Sequence, residues 1–145
     1  YESISAEKYS SELVTLISRS HTNGSNLNIE TVLVPCDQEL LLTMDQALPF
    51  GLLLNELVTN SIKHAFTEQN NGEIRISMLQ KGDTNIVVVE DNGKGIDESI
   101  ELGKTTSLGF QLIPGLVEQL DAEISLHREY GTRYEIRFSK RETEG

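Results

Sequence analysis

The chain has 145 residues, a length that favours a single domain, and 37% of its residues are hydrophobic, which suits a packed core. Asp and Glu outnumber Lys and Arg by 23 to 12, so the formal net charge is −11. This acidity, without any basic run, argues against binding to a nucleic-acid backbone or to an anionic membrane surface. No apolar segment approaches the ~20 residues that a membrane-spanning helix needs.

The ends and the cysteine content suggest the context of the chain. It begins at Tyr1 rather than at Met, and no basic-then-apolar signal segment opens it. Its one cysteine, Cys36, excludes an intrachain disulfide framework and suits a reducing compartment. We therefore interpret residues 1–145 as one domain of a longer protein, located in the cytoplasm.

The first half of the sequence predicts two helices separated by short strands. Apolar residues recur at helical spacing between positions 6 and 20, and an Asn-Gly turn at 23–26 ends that helix. Segments 28–34 and 39–44 are strand-like. A long helix follows to about residue 66, with Asp45 and Pro49 in its first turn, where proline is tolerated.

The second half predicts a sheet interrupted by one helix. A turn at 70–72 precedes an alternating strand at 73–80, and the β-branched run 86–89 predicts a central strand buried on both faces. A polar loop at 91–107, a helix at 108–120 that Pro114 should kink, and a hairpin of 122–127 with 132–139 complete the chain. The pattern predicts one mixed sheet with helices on one face.

Three polar residues follow one side of the long helix. At ~100° per residue, Glu56, Asn60 and Lys63 fall within an arc of roughly 60°. A solvated face is the ordinary explanation, but Leu52 and Leu53 flank this side, and Asn is a weak helix former. An Asn carbonyl suits Mg²⁺, a Glu can orient or deprotonate a nucleophile, and a Lys offers a point charge to phosphate.

A glycine-containing turn follows the β-branched strand. Asp91 ends that strand, where a buried carboxylate needs partners, and it could accept a hydrogen bond from an exocyclic amine. Gly93 and Gly95 would let the backbone approach a flat ring closely. The alternative is a simple hairpin turn, because Asn-Gly is a common turn dipeptide.

Two further elements are ambiguous when taken alone. Ser107 can cap the helix that contains Gly109, and the amides at such a helix start can hold phosphate oxygens. A merely capped helix explains the same residues equally well. Thr132 likewise follows a glycine that could mark only a hairpin turn.

In order and spacing, these four elements resemble the nucleotide-binding domain shared by sensor histidine kinases, heat-shock chaperone ATPases, mismatch-repair ATPases and type II topoisomerases. Segment 55–66, Asn-Glu-Leu-Val-Thr-Asn-Ser-Ile-Lys-His-Ala-Phe, looks like the N box of that family. Segments 91–95 and 107–110 look like its two glycine boxes, and 131–132 like its adenine-side threonine. The resemblance implies an α+β two-layer sandwich of the Bergerat type, in which a mixed, mostly antiparallel sheet carries about three helices on one face.

The resemblance also implies roles for single residues. Glu56 takes the position of the general base, Asn60 that of the Mg²⁺ ligand, and Asp91 that of the adenine-amine acceptor. The remaining positions of the family's ATP site are matched by Lys63, His64, Gly93, Gly95, Gly109 and Thr132.

The Lys-His-Ala-Phe ending and the short lid are most similar to compact-lid bacterial sensor histidine kinases. The implied function is transfer of the γ-phosphate of Mg²⁺-bound ATP to a histidine on a separate dimerisation domain, with a response regulator downstream. The parent protein could be membrane-anchored although this domain contacts no membrane. His21, His64 and His127 lack the helical-hairpin context of the phosphoacceptor. The alternatives are an anti-sigma-factor-type serine kinase and a nucleotide-gated interaction module without transfer.

Overall fold

The computed structural model describes residues 3–22, 28–34, 38–65, 71–93, 108–128 and 131–141. Three helices and seven strands lie within these ranges. In chain order they are β1 (Ile4–Ser5), α1 (Ala6–Thr22), β2 (Asn28–Leu33), β3 (Leu41–Leu42), α2 (Met44–Asn60), which continues into a π-helical turn (Ser61–Ala65), β4 (Asn71–Lys81), β5 (Thr84–Asp91), α3 (Leu108–Gln119), β6 (Ala122–His127) and β7 (Arg133–Ser139).

Five strands form one sheet in the order β2-β4-β5-β7-β6. The edge strand β2 runs parallel to β4, and the other three neighbouring pairs are antiparallel. The short strands β1 and β3 pair separately, with Ile4 opposite Leu42. The mixed, mostly antiparallel sheet that the resemblance implied is confirmed.

Burial alternates along the strands, so one sheet face carries the core. In the central strand β5, Val87 and Val89 are fully buried, whereas Ile86 and Val88 are half-buried. The prediction that this strand is buried on both faces is therefore wrong, because an antiparallel sheet needs cover on only one side. All three helices contribute to the single core cluster on the covered face, for example through Val14, Leu57 and Ile113.

The start of α2 differs from the sequence prediction in two ways. The helix begins at Met44, and its N-cap is Thr43, whose amide donates to Oε1 of Gln46 at 3.1 Å. The predicted strand at 39–44 is consequently reduced to Leu41–Leu42, because the cap and the first helical residue occupy its end. Pro49 lies in the second turn, not the first, so the Asp45 carbonyl receives no i+4 hydrogen bond from it.

Other predicted boundaries are largely correct. The β6–β7 hairpin and the turn at Gly82, with φ +59°, are confirmed. Asn71 and Gly72 belong to β4 rather than to a turn, because their backbone pairs with β2. The α3 helix includes Pro114 within one helical span, and the kink there stays a prediction. The predicted turn at 23–26 and most of the loop at 91–107 lie outside the described residues.

Apolar side chains are also exposed along the first half of α2. Met44, Leu48 and Leu52 are 57%, 66% and 45% exposed, and their spacing of four residues places them on one side of the helix. We refer to these three residues as the α2 apolar row. Among the described helices, none has the length and apolar composition to cross a bilayer.

Candidate functional site

One end of the sheet brings the predicted motifs together. Strand β5 ends at Asp91, and the antiparallel strand β7 begins beside it, so that the Asp91 amide donates to the Thr132 carbonyl at 2.9 Å. Helix α3 runs directly into β6, whose first residue, Ala122, pairs with Phe138 at the opposite end of the sheet. The C-terminal end of α3 therefore lies at the end of the sheet opposite Asp91.

The Asp91 carboxylate is held by backbone amides. Its Oδ1 accepts hydrogen bonds from the Gly93 amide at 3.0 Å and from the Thr132 amide at 3.2 Å. The first of these bonds joins residues two apart, as in an Asx turn. The side chain is thus fixed in direction by two neighbouring segments.

Burial sets the electrostatic state of this group. Asp91 is 5% exposed, and desolvation raises the pKa of its carboxyl above the ordinary value of 3.8. Hydrogen bonds from Gly93, Ser61 and Thr132 act in the opposite direction and favour the charged form. A carboxylate with these partners and one free oxygen is suited to accept a hydrogen bond from a ligand.

The long helix contributes its C-terminal end to the site. Asn60 is buried at 2% exposure, Glu56 is half-buried, and Lys63 is exposed. A fully solvated polar face is therefore excluded as the explanation for these residues. The last turn, Ser61–Ala65, is π-helical, and its wider i→i+5 bonding breaks the 100° step that grouped Lys63 with the other two. His64 lies in the same turn and is half-buried.

Several buried polar atoms at this end have no hydrogen-bond partner within the part of the chain that is described. They are Oδ2 of Asp91, Oγ1 of Thr132 and Nδ2 of Asn60. Leaving such a group unsatisfied costs about 1–3 kcal/mol, so proteins rarely retain them without use. Asp91 and Thr132 lie at adjacent ends of β5 and β7, and Asn60 precedes Ser61, which interacts with Asp91, so these atoms together favour a ligand site here.

The glycine positions are only partly described. Gly93 lies two residues after Asp91, and Gly109 lies in the first turn of α3. Gly95 and the proposed cap Ser107 lie outside the described residues. Gly131 has φ +98°, and a Cβ there would collide with the Asp91 carbonyl oxygen, so the close approach of β7 to β5 requires glycine.

A cavity of about 260 Å³ opens near the same sheet end and is lined by Glu73, Arg75, Glu90, Asp91 and Asn92. Its lining side chains include two glutamates, and its one cation, Arg75, already pairs with Glu73 at 3.0 Å. This composition disfavours a phosphate-bearing ligand. The Asp91, Thr132 and Asn60 side is therefore the better candidate site.

The sequence prediction missed two residues of this region. Ser61 is 2% exposed and hydrogen-bonds the Asp91 side chain. Tyr134 is fully buried on the face of β7 that also carries Thr132. The period-two alternation of β7 could have placed Tyr134 beside Thr132. No comparable signal marks Ser61, because its proximity depends on how α2 packs against β5.

The sequence profile of the histidine kinase-, DNA gyrase B- and HSP90-like ATPases matches residues 45–142. The chain belongs to this family. Members of the family bind ATP, and the chain is similar to the catalytic ATP-binding domains of sensor histidine kinases.

Individual relatives support this assignment. A blue-light-activated histidine kinase of Erythrobacter litoralis is 33% identical over 71% of this chain. Sensor histidine kinase PdtaS of Mycobacterium tuberculosis is 34% identical over 67%. The chain spans 28% and 20% of the lengths of these two proteins.

Solved structures share the architecture. The histidine kinase domain of the Erythrobacter litoralis EL346 blue-light-activated kinase superposes with a TM-score of 0.81 at 27% identity, covering 94% of this chain and 61% of that one. The catalytic domain of histidine kinase ThkA is similar in fold, with a TM-score of 0.71 at 18% identity and 96% coverage of both chains.

Proposed function

We propose that this domain binds ATP with Mg²⁺ and transfers the γ-phosphate to a histidine on a separate helical dimerisation domain. The observation that carries the proposal is the group of three buried polar residues Asp91, Thr132 and Asn60, each of which has one polar atom without a hydrogen-bond partner in the described part of the chain. A response regulator would then receive the phosphate. Because ATP and such regulators occur in the cytoplasm, we place the domain there.

Asp91 would read the base. Its free oxygen Oδ2 can accept a hydrogen bond from the 6-amine of adenine, whereas the 6-carbonyl of guanine would oppose it with a second acceptor. A buried acceptor left without a donor is costly, so a site of this kind discriminates strongly between the two bases.

Asn60 and Glu56 would act at the phosphate end. The Asn60 side chain is buried with its Nδ2 unpartnered, and an amide oxygen with few other protein ligands suits Mg²⁺, which retains most of its waters. When bound, Mg²⁺ neutralises phosphate charge. Glu56, one helical turn earlier and half-buried, can orient the acceptor and take its proton. Lys63, His64 and the first turn of α3 at Gly109 are the phosphate contacts that the family suggests.

The α2 apolar row would receive the acceptor domain. Its last member, Leu52, lies one turn before Glu56, so a partner helix docked on the row reaches the end of α2 that holds the proposed base. The domain carries a net charge of −11, so apolar contacts suit capture of a partner better than nonspecific attraction would.

The nucleotide half of the proposal is tested by calorimetric titration of the chain with ATP and GTP in the presence of Mg²⁺. We expect binding of ATP and little binding of GTP. Equal affinities would show that Asp91 does not select the base.

The transfer half is tested with radiolabelled ATP. The chain alone should not label itself, because transfer depends on an acceptor positioned in line with the γ-phosphate. Adding the acceptor hairpin of the parent as a separate polypeptide should give weak transfer, since the tether no longer supplies a high effective concentration. Stoichiometric acid-labile label on the chain alone would favour a self-contained kinase.

Two other functions fit the same family. A serine kinase of the anti-sigma-factor type would phosphorylate a protein hydroxyl, and its label would survive acid. A nucleotide-gated interaction module would bind ATP without transfer to any acceptor. The half-buried Glu56 argues against the module, because nucleotide binding alone does not need a base.

A further inference from the structure

Tyr134 is a large core residue whose polar atom is not used by the fold. Its side chain is 0% exposed, and its hydroxyl has no hydrogen-bond partner within the described part of the chain. Phe138, two core positions further along β7, fills an equivalent buried place without a hydroxyl. Because a buried hydroxyl without a partner destabilises a protein by about 1–3 kcal/mol, phenylalanine would be the better residue for packing alone.

The register of the sheet places Tyr134 near Asp91, the residue proposed to recognise the base. Tyr134 lies opposite Val89 in the β5–β7 pair, so Asp91 is its diagonal neighbour on the same sheet face. Such diagonal positions are about 7–8 Å apart, within reach of an aromatic side chain. Thr132, two residues earlier on β7, shares this face.

The electrostatics agree with this placement. Burial is the main cause that raises the pKa of Tyr134 above its usual value, and the charge of Asp91 is the second. Three free polar atoms, Oδ2 of Asp91, Oγ1 of Thr132 and the Tyr134 hydroxyl, therefore belong to neighbouring positions of one sheet face. A buried water needs two to four polar partners, and this set supplies three.

Resting on the proposed ATP binding, we propose that Tyr134 is a positioning residue for base recognition. Its hydroxyl joins Asp91 and Thr132, directly or through one shared water, in a polar network that forms fully only when the adenine ring is bound. The hydroxyl thus stabilises the complex and destabilises the free domain.

The test is Tyr134→Phe, with Tyr9→Phe as the matched control. Tyr9→Phe removes the same hydroxyl oxygen from a different part of the fold, because the Tyr9 hydroxyl lies against Gly51 at the contact of α1 with α2. Titrations use ATP and the triphosphate of purine riboside, which lacks the 6-amine. Thermal unfolding of each nucleotide-free variant is measured alongside.

We expect Tyr134→Phe to leave the free domain as stable as wild type or more stable, while ATP binds about 2- to 10-fold more weakly. Replacing ATP by the nucleotide that lacks the 6-amine should weaken binding less in Tyr134→Phe than in wild type. The reason is that the 6-amine and the Tyr134 hydroxyl belong to one network. Tyr9→Phe should change neither affinity.

The inference would be overturned if Tyr134→Phe bound both nucleotides as tightly as wild type does. It would also be overturned if the substitution weakened the binding of both nucleotides by the same factor. A less stable free domain would also overturn it, since the hydroxyl would then have a partner without nucleotide. Failure of wild type to bind ATP would instead refute the proposed function, so the two failures are distinguishable.

Discussion

Asp91 and Thr132 hold each other through two hydrogen bonds of opposite direction. The Asp91 amide donates to the Thr132 carbonyl at 2.9 Å, and the Thr132 amide donates to Oδ1 of Asp91 at 3.2 Å. The second bond uses a side chain where the ladder between β5 and β7 ends. One carboxylate oxygen is thereby fixed to the scaffold, which leaves Oδ2 pointing in one defined direction for a ligand.

Glu56→Gln and Asn60→Ala should separate catalysis from binding. Glu56→Gln removes the proposed base but keeps the side-chain shape, so we expect transfer to the hairpin to fall about 10²–10⁴-fold with the dissociation constant of ATP nearly unchanged. Asn60→Ala should instead weaken binding of ATP chiefly when Mg²⁺ is present. Titration and single-turnover labelling of both variants measure the two effects. Equal loss of ATP affinity in both would contradict the assigned roles.

Leu48→Asp should impair docking of the acceptor and nothing else. Leu48 is 66% exposed at the centre of the α2 apolar row, so the unfolding free energy should change by less than about 0.5 kcal/mol. We expect transfer in trans at low hairpin concentration to fall about 10-fold, the effect of losing one central apolar contact. Leu79→Asp is the matched control, since Leu79 is 49% exposed on β4. Equal transfer by both variants would exclude the row as the docking surface.

Asp91→Asn should make the nucleotide-free domain more stable at neutral pH. Because burial raises the pKa of Asp91, the folded chain binds a proton more readily than the unfolded chain does. The contribution of this group to the unfolding free energy therefore falls as pH rises from the ordinary pKa of 3.8 through the folded pKa, and is lowest above it. Urea unfolding at several pH values should show an advantage of about 1 kcal/mol at neutrality. The advantage of Asp91→Asn in unfolding free energy should shrink as the pH is lowered. A difference between variant and wild type that stays constant across pH would refute the electrostatic cause.

Gly131→Ala should damage both stability and binding. A Cβ at Gly131 would meet the Asp91 carbonyl oxygen, and its φ of +98° is strained for any other residue. We expect destabilisation of about 1–3 kcal/mol, with weaker binding of ATP because β7 must shift away from Asp91. Gly115→Ala is the control, since nothing lies within 4 Å of a Cβ there and α3 should gain about 0.5–1 kcal/mol. Chemical unfolding of both variants provides the comparison.

Local sequence patterns determined most helices and strands and indicated the candidate site residues. Helical periodicity predicted α1, α2 and α3, alternation predicted β4 and the β6–β7 hairpin, and the order of four short motifs indicated the family. These features depend on residues that are neighbours along the chain, so their physical causes are visible in the sequence. The same holds for the position of Asp91 at the end of β5.

Only the tertiary structure decided which atoms meet at the site. The burial of Asn60, the π-helical turn after it and the contact of Ser61 with Asp91 arise where α2 packs on β5. Among the described elements, all three helices contribute to the core cluster on one face of the sheet, so the other face of β5 is only half-buried. A run of β-branched residues cannot reveal this difference. Packing between segments distant in sequence sets these properties, and the local pattern of residues carries no record of it.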